Sequence, residues 1–493
     1  MYRKEDTTPE FERFHVVFGG KLKPTNRWVI LADLIPWKKI EEKYAELFCK
    51  DNGRPAFSVR VALGALILKE KMKSADEELV LQIQESQYLQ YFLGFEGYRD
   101  ELPFDPSMMV HFRKRLSGKI LKEVNAMIIE AQKKRMEGSA EPPDEGSGGS
   151  AGKNSGTLIV DATCAPEDMR FPHDVSLLDE ARRKTEKVID HLATGLPEGM
   201  EKPRTYRRKA RKEFLSFIRN RKPSVQKIRK ALRQQMQYVE RNLRTILQLQ
   251  GESEFHLTAK QREELGVIET LLKQQRYLHR HKTWSVEKRI LSISKPHVRP
   301  IARGKARGMF EFGAKLSLSL VDGFSEVHRL SWEPYNECAD LIEQVENYRI
   351  RYGNYPEAVC ADKIYRTREN LQYCKDKGIR LSGPKLGRPF QDTEKNRERL
   401  KEIRRQERLD ERLRIPVEGK FGEAKRRYSL GRVMTRLKET SESSIMLVFL
   451  VMNLMVIARR KAKAFFVEIF REIFLVVEGL LVRYFFGSWI LIN

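Results

Sequence analysis

The chain has 493 residues, more than one hydrophobic core usually organises, so two or three domains are expected. A formal charge of +25 and a pI near 9.7 exclude a partner of like sign and point to a polyanion, because nucleic-acid binding rests on Lys and Arg meeting phosphate. The five cysteines form no CxxC and stand near no His at zinc-finger spacing, which argues against a disulfide scaffold or a zinc finger. The opening MYRKEDTTPEFERF lacks the apolar core of a secretion signal, so a cytoplasmic protein with reduced thiols is expected.

Residues 1–136 read as a helical domain. Val61, Leu63, Ala65, Leu66 and Leu68 form an apolar segment, and Ser74 with Glu77 has the spacing of a capping box ahead of Leu79, Val80, Leu81 and Ile83. Ser107 is expected to cap MMVHFRKRL, where Arg113, Lys114 and Arg115 follow His111 beside Met109, Val110, Phe112 and Leu116. Such a short basic helix after two others fits the reading helix of a helix-turn-helix, with a solvated bundle face as the alternative. Residues 137–156, rich in Gly, Ser and Pro, cannot support a core and read as a flexible tether.

Residues 157–188 open a second domain with GTLIVDAT, an apolar run of strand type ending at Asp161. Glu167, Asp168 and Asp174 follow closely and rival it as a metal ligand. Asp161 is preferred because a carboxylate ending a buried strand is costly without a cation, although capping of the next turn is the plain alternative. From about 189 to 296 the strand pattern gives way to helices, with Val225, Ile228, Leu232, Met236, Val239, Leu243 and Ile246 recurring at steps of three and four. Between Lys202 and Val239 the only acid is Glu213, against a crowd of cations that includes Arg207, Arg208, Lys209, Arg211 and Lys212. Charge of one sign at that density fits a clamp on a DNA backbone, with a solvated face as the alternative.

Residues 297–464 return to strands. Phe310, Phe312, Ala314, Leu316, Leu318 and Leu320 alternate, Asp322-Gly323 supplies a turn, and Val327, Leu330 and Trp332 continue, which predicts a β-hairpin. A helix over NECADLIEQVENYRIRYG leads to the strand PEAVCADKIY, taken to end at Asp362. Another helix and the short strand IRLSGP follow. A charge-rich segment from Gln391 then enters RLRIPVEGKFGEAKRRY, where Pro416 suits the first turn of a helix carrying Glu418 and Lys425 on one face. Ile445–Ala458 is apolar but shorter than the ~20 residues of a spanning helix. Charges interrupt the apolar tail of 465–493. Both read as core or interface helices, with no membrane partner expected.

The pattern Arg414, three residues, Glu418, six residues, Lys425 resembles the signature around the third acid of DDE transposases in the bacterial insertion-sequence-four/five superfamily. Glu411 stands where that signature usually has Tyr. The segments SVRVALGALILKEK, YLQYFLGF and PFDPSMMVHFRKRL are similar to the helical amino-terminal domain of insertion-sequence-five transposases. HVRPIARGKARGMFEFGAK and DKIYRTRENLQYCKDKGI also look like that family. The resemblance implies an α/β fold: a ribonuclease-H-like catalytic domain with a mixed five-stranded sheet flanked by helices, a large helical insertion and an all-α DNA-binding domain. It implies that Asp161, Asp362 and Glu418 are catalytic and hold two Mg²⁺ ions, with Mn²⁺ as a substitute. Asp161 would bridge the ions while Arg414 and Lys425 hold phosphates flanking the scissile one.

Such a site uses one ion to activate the attacking oxygen and the other to stabilise the leaving one. The expected reaction is cleavage at the element's ends and joining to target DNA, by a homodimer acting on the bacterial nucleoid. Glu423 competes with Glu418 for the third place. A DNA-binding derivative without catalysis, and a nuclease of the same fold that cuts without joining, are the other readings.

Overall fold

The computed structural model describes residues 20–49, 55–137, 154–302, 310–384, 386–387 and 393–490, with side chains described only in part beyond residue 464. The Gly/Ser-rich stretch expected as a tether lies almost wholly outside the described residues. Seven helices come first: α1 (Arg27–Leu34), α2 (Trp37–Ala45), α3 (Val59–Met72), α4 (Asp76–Glu85), α5 (Gln87–Phe92), α6 (Met108–Arg115) and α7 (Gly118–Glu137). Two of the expected caps are not formed. Ser74 hydrogen-bonds Gln82 at 3.0 Å while Ala75 precedes α4. Ser107 already has helical φ and ψ, so its hydroxyl is not aimed at the first turn of α6, and Asp105 accepts from its N–H instead.

The sheet is built from β1 (Thr157–Pro166), β2 (Arg299–Ala302), β3 (Phe310–Val321), β4 (Phe324–Ser331), β5 (Ala358–Cys360) and β6 (Arg380–Leu381). Its order is β2-β3-β1-β5-β6, and β4 shares with β2 the edge of β3 that faces away from β1. The β3 pairings with β1, β2 and β4 are antiparallel, whereas β1–β5 and β5–β6 are parallel. The fold class is therefore mixed α/β, with six strands among the described residues where the resemblance implies five, because β2 adds a short strand beside the hairpin. Asp322 and Gly323 both have positive φ, the conformation a tight hairpin turn needs, and they join β3 to β4 as the sequence predicts.

Between β1 and β2 the chain makes a helical body of α8 (Asp174–Ala193), α9 (Arg207–Ile218), α10 (Val225–Glu252) and α11 (Ala259–His281). The α10 stripe buries Leu232, Met236, Val239 and Ile246 against α8 and α11, while Val225 at its start is exposed. After β4 come α12 (Leu341–Tyr352), α13 (Arg368–Asp376), α14 (Arg397–Arg427) and α15 (Lys438–Ile490).

One hydrophobic core runs from the amino-terminal helices through one face of the sheet to α14 and α15. The apolar run at Ile445–Ala458 lies inside it. Lys438–Ala464 is long and apolar enough to cross a membrane by length and composition, yet most of it is buried in protein. Asn453, the polar interruption in that run, is fully satisfied. Its Oδ1 accepts from the N–H and hydroxyl of Ser325, and its Nδ2 donates to Ser325 O at 2.7 Å and Asn125 Oδ1 at 2.8 Å. α7, β4 and α15 are thereby tied at one buried point.

Candidate active site

Asp161 lies in the middle of β1, not at its end as the sequence predicts, because β1 continues along β3 to Pro166. What ends nearby is the other neighbour. β5 pairs with β1 only from Thr157 to Ile159, so Asp161 stands just beyond the last parallel rung. Ile159 pairs with Cys360, a separation of 201 residues, and Asp161 and Asp362 are separated by the same number. Strand register thus sets the two acids side by side although a helical body intervenes in sequence. The N–H of Ala162, the next residue along β1, bonds the Asp161 carboxylate at 2.8 Å.

Asp362 follows β5 and accepts from Lys363 N at 2.7 Å, capping a short 3₁₀ turn over Lys363–Tyr365. Its side chain is about half exposed. Asp161 points to the face of the sheet covered by α14, since it pairs with Leu318 of the main core.

α14 differs from expectation. Pro416 does not begin a helix but sits inside one of 31 residues. Proline removes the bond to the carbonyl four residues back, yet Pro416 and Arg412 are both exposed, so water can satisfy that carbonyl. Both halves are also anchored. Before the proline, both oxygens of buried Asp410 accept from Nη1 of Arg380 on β6, at 2.6 and 2.7 Å. After it, Val417 and Ala424 are in the core. Asp410, Arg414, Val417, Phe421, Ala424 and Tyr428 form the stripe facing the sheet, in steps of four and three. Arg414 therefore reaches the acids from a fixed register, with Glu418 one turn on.

Arg414 joins the cluster. Its Nη1 is 3.0 Å from Asp362 Oδ1 and its Nη2 is 2.9 Å from Glu418 Oε1. Burial pushes the Asp161 carboxyl up to about 6, with the charges of Asp362 and Glu418 adding to the rise and the Ala162 N–H and Arg414 opposing it. Two of the three predicted acids are thus held on one guanidinium, and the third, Asp161, lies near enough to feel all three charges. Among the described residues, however, no three Asp, Glu, His or Cys side chains are close enough as they stand to hold a metal ion. Arg414 lies between two of them. The donor set is nonetheless all oxygen and carries more negative charge than one guanidinium cancels, which fits a hard divalent cation.

The rival acids are placed elsewhere. Buried Glu167 pairs with buried Lys295 at 2.5 Å, Asp168 with Arg432 at 2.6 Å and Asp174 with Arg289 at 2.7 Å. Glu423 pairs with Arg459 at 2.9 Å. Lys425 is on α14 two turns beyond Glu418, 3.9 Å from Glu311 on β3 and away from the Arg414 pairings.

The predicted DNA-binding residues divide. Arg208, Lys209, Arg211 and Lys212 are exposed on α9, whose other side packs Ala210 and Phe214 inward. Arg207 is instead held by Asp190 at 2.7 Å. On α6, Lys114 is exposed, whereas Arg113 is buried and bidentate with Asp76 at 2.7 and 3.2 Å, and Arg115 lies over the Phe48 ring at 5.1 Å. Arg113 is thus a structural ion pair and is not presented to a ligand, a correction to its sequence reading. Periodicity alone carries the signal: Met109, Phe112 and Arg113 share the buried side of α6. Sequence reasoning also passed over Tyr365, fully buried near the charge of Asp161 with its hydroxyl unpartnered. Its place three residues after Asp362 was the available clue.

Comparison with known proteins points to a family. Residues 359–455, which include Asp362, Arg414 and Glu418, match a transposase DDE domain, and residues 16–115 match a second transposase domain, DUF772. An uncharacterized protein of Rhizobium meliloti, ORF8 in the nfe locus, is 32% identical over 156 residues, covering 32% of this chain and 69% of that protein. No solved structure matches. With two transposase domains matched in their expected order and a relative aligned over most of its own length, the chain belongs to the transposases that carry a DDE domain.

Proposed function

We propose that this transposase cuts DNA at the ends of an insertion sequence of the insertion-sequence-five family and joins those ends to target DNA, with Asp161, Asp362 and Glu418 as its catalytic acids. The observation that carries the proposal is that Asp362, just after β5, and Glu418 on α14 both pair with the single guanidinium of Arg414, whose charge Asp161 on β1 also feels. The strand order, with the hairpin on one side of β1 and two parallel strands on the other, supports a ribonuclease-H-like catalytic domain.

When bound, divalent cations, Mg²⁺ or Mn²⁺, would supply Lewis-acid stabilisation of the attacking and leaving oxygens, held by Asp161, Asp362 and Glu418. Asp161, anchored by strand pairing on one side and by its Ala162 N–H bond, fixes the centre of the site. Arg414 and Lys425 orient the phosphates of the strand being cut, spaced along one face of α14. The exposed cations of α9 add backbone affinity without sequence choice, and Lys114 adds to it from α6. Two element ends favour a homodimer working in the cytoplasm on nucleoid DNA.

Incubation with a labelled element end, supercoiled target and Mg²⁺ tests this reading. Joined products support a transposase reaction. Nicks alone would indicate a nuclease, and a mobility shift without cutting a DNA-binding derivative.

A further inference from the structure

Arg414 is committed at both ends of its fork, to Asp362 at 3.0 Å and Glu418 at 2.9 Å, so its guanidinium fills the space between two of the three acids. Without a cation there, the half-exposed carboxylates of Asp362 and Glu418 and the more buried one of Asp161 would repel one another. A planar fork matches two carboxylates at once, which a point charge such as ammonium does not. Resting on the reading of these acids as metal-holding, we propose that Arg414 is the resident counter-ion of the metal-free cluster and competes with divalent cations for Asp362 and Glu418. Cation loading then releases the guanidinium toward a DNA phosphate.

The two positive groups are alternatives because they need the same oxygens. The Arg414 side chain is about one quarter exposed, enough to leave the pocket outward, while its backbone stays fixed on the sheet-facing stripe of α14. A freed guanidinium regains two charge-assisted bonds only from an anion, and phosphate offers the same bidentate geometry. Cation and DNA therefore favour each other's binding through Arg414, and linkage makes the effect reciprocal.

The test is Mn²⁺ titration of the full chain without DNA, read from the free-Mn²⁺ paramagnetic resonance signal. Arg414→Gln should bind Mn²⁺ about ten-fold more tightly than the natural protein, because two charge-assisted bonds no longer have to be broken. Arg414→Lys, which keeps the charge and the fold but loses the fork, should fall between them. Equal or weaker Mn²⁺ binding by both variants overturns the proposal, and should the glutamine variant not fold, the lysine variant decides alone. A short duplex should tighten Mn²⁺ binding to the natural protein more than to Arg414→Lys; equal tightening also counts against it. Asp161→Asn separates the two levels of the argument. If it binds Mn²⁺ as the natural protein does, the acid site itself is wrong, whereas loss of binding there with no gain in the Arg414 variants defeats the counter-ion role alone.

Discussion

Two groups of acids lie along the same chain, and they are neutralised in different ways. Glu167, Asp168 and Asp174 each have a cation of their own, in Lys295, Arg432 and Arg289. Asp362 and Glu418 share Arg414, and Asp161 beside them has no cation of its own among the described ion pairs. An acid with a dedicated partner is a structural element: its charge is cancelled within the fold and nothing further is needed. Three neighbouring acids with one guanidinium leave negative charge over, and that surplus favours binding of a further cation. The contrast separates the functional candidates from their sequence neighbours more sharply than strand position does.

The contrast can be broken most directly by mutation within each group. Asp161→Asn or Glu418→Gln is expected to slow cutting of a labelled end by about 10³-fold or more while leaving the DNA mobility shift nearly intact. Asp174→Asn should leave cutting per folded molecule unchanged. Equal losses in both groups would erase the distinction.

The dedicated pairs should show their effect in stability. Lys295→Met strands Glu167 in a site where both side chains are almost wholly buried, and should cost about 3–5 kcal/mol in urea unfolding. A near-zero change would mean that the pair is not holding the end of β1.

A smaller effect separates free from committed cations. Replacing Arg208, Lys209, Arg211 and Lys212 together with Gln should reduce the salt slope of DNA binding by up to about 3.6, at roughly 0.9 per phosphate contact. Arg207→Gln alone should change it by less than one contact's worth, because Asp190 already holds that guanidinium. An unchanged slope in the fourfold variant would remove the clamp.

The smallest expected effect lies on the opposite face of the sheet. Burial holds the His328 imidazole down to about 4, with Lys122 and Arg351 adding to the depression, and it bonds Ser319 Oγ at 2.6 Å. The unfolded chain, with an ordinary value of about 6.5, takes up a proton that the folded one refuses. Stability should be constant above about 6.5 and be lost as pH falls toward about 4. His328→Asn should flatten that part of the urea midpoint against pH, and an unaltered curve would assign it to other groups.

Much of this arrangement can be read from residue order, for local reasons. Alternation and Asp322-Gly323 define the hairpin, and steps of three and four define α10, because burial follows backbone period. The nearness of the three acids is anticipated by the apolar runs before Asp161 and Asp362 and by the Arg414–Glu418 spacing, although Asp161 lies mid-strand and Asp362 just past its strand. What the sequence hides depends on partners distant along the chain. Pro416 looks like a helix start until Asp410 is seen to pair with Arg380. Arg113 looks like a ligand-binding cation until Asp76 is found beside it. The expected caps at Ser74 and Ser107 fail because Ser74 bonds Gln82 instead and Ser107 is itself helical. The bridging position of Arg414 is likewise invisible, since Asp362 meets Glu418 only through the packing of α14 against the sheet.

The burial of α15 has a consequence for how the protein is made. The amino-terminal helices pack on a segment that leaves the ribosome after every other described element, so they wait through synthesis with their apolar sides uncovered. A nascent chain lacking Ile445–Ile457 has no complete core on which to assemble the pocket of acids. Premature termination before that point should give an aggregation-prone fragment that cannot act on the genome encoding it.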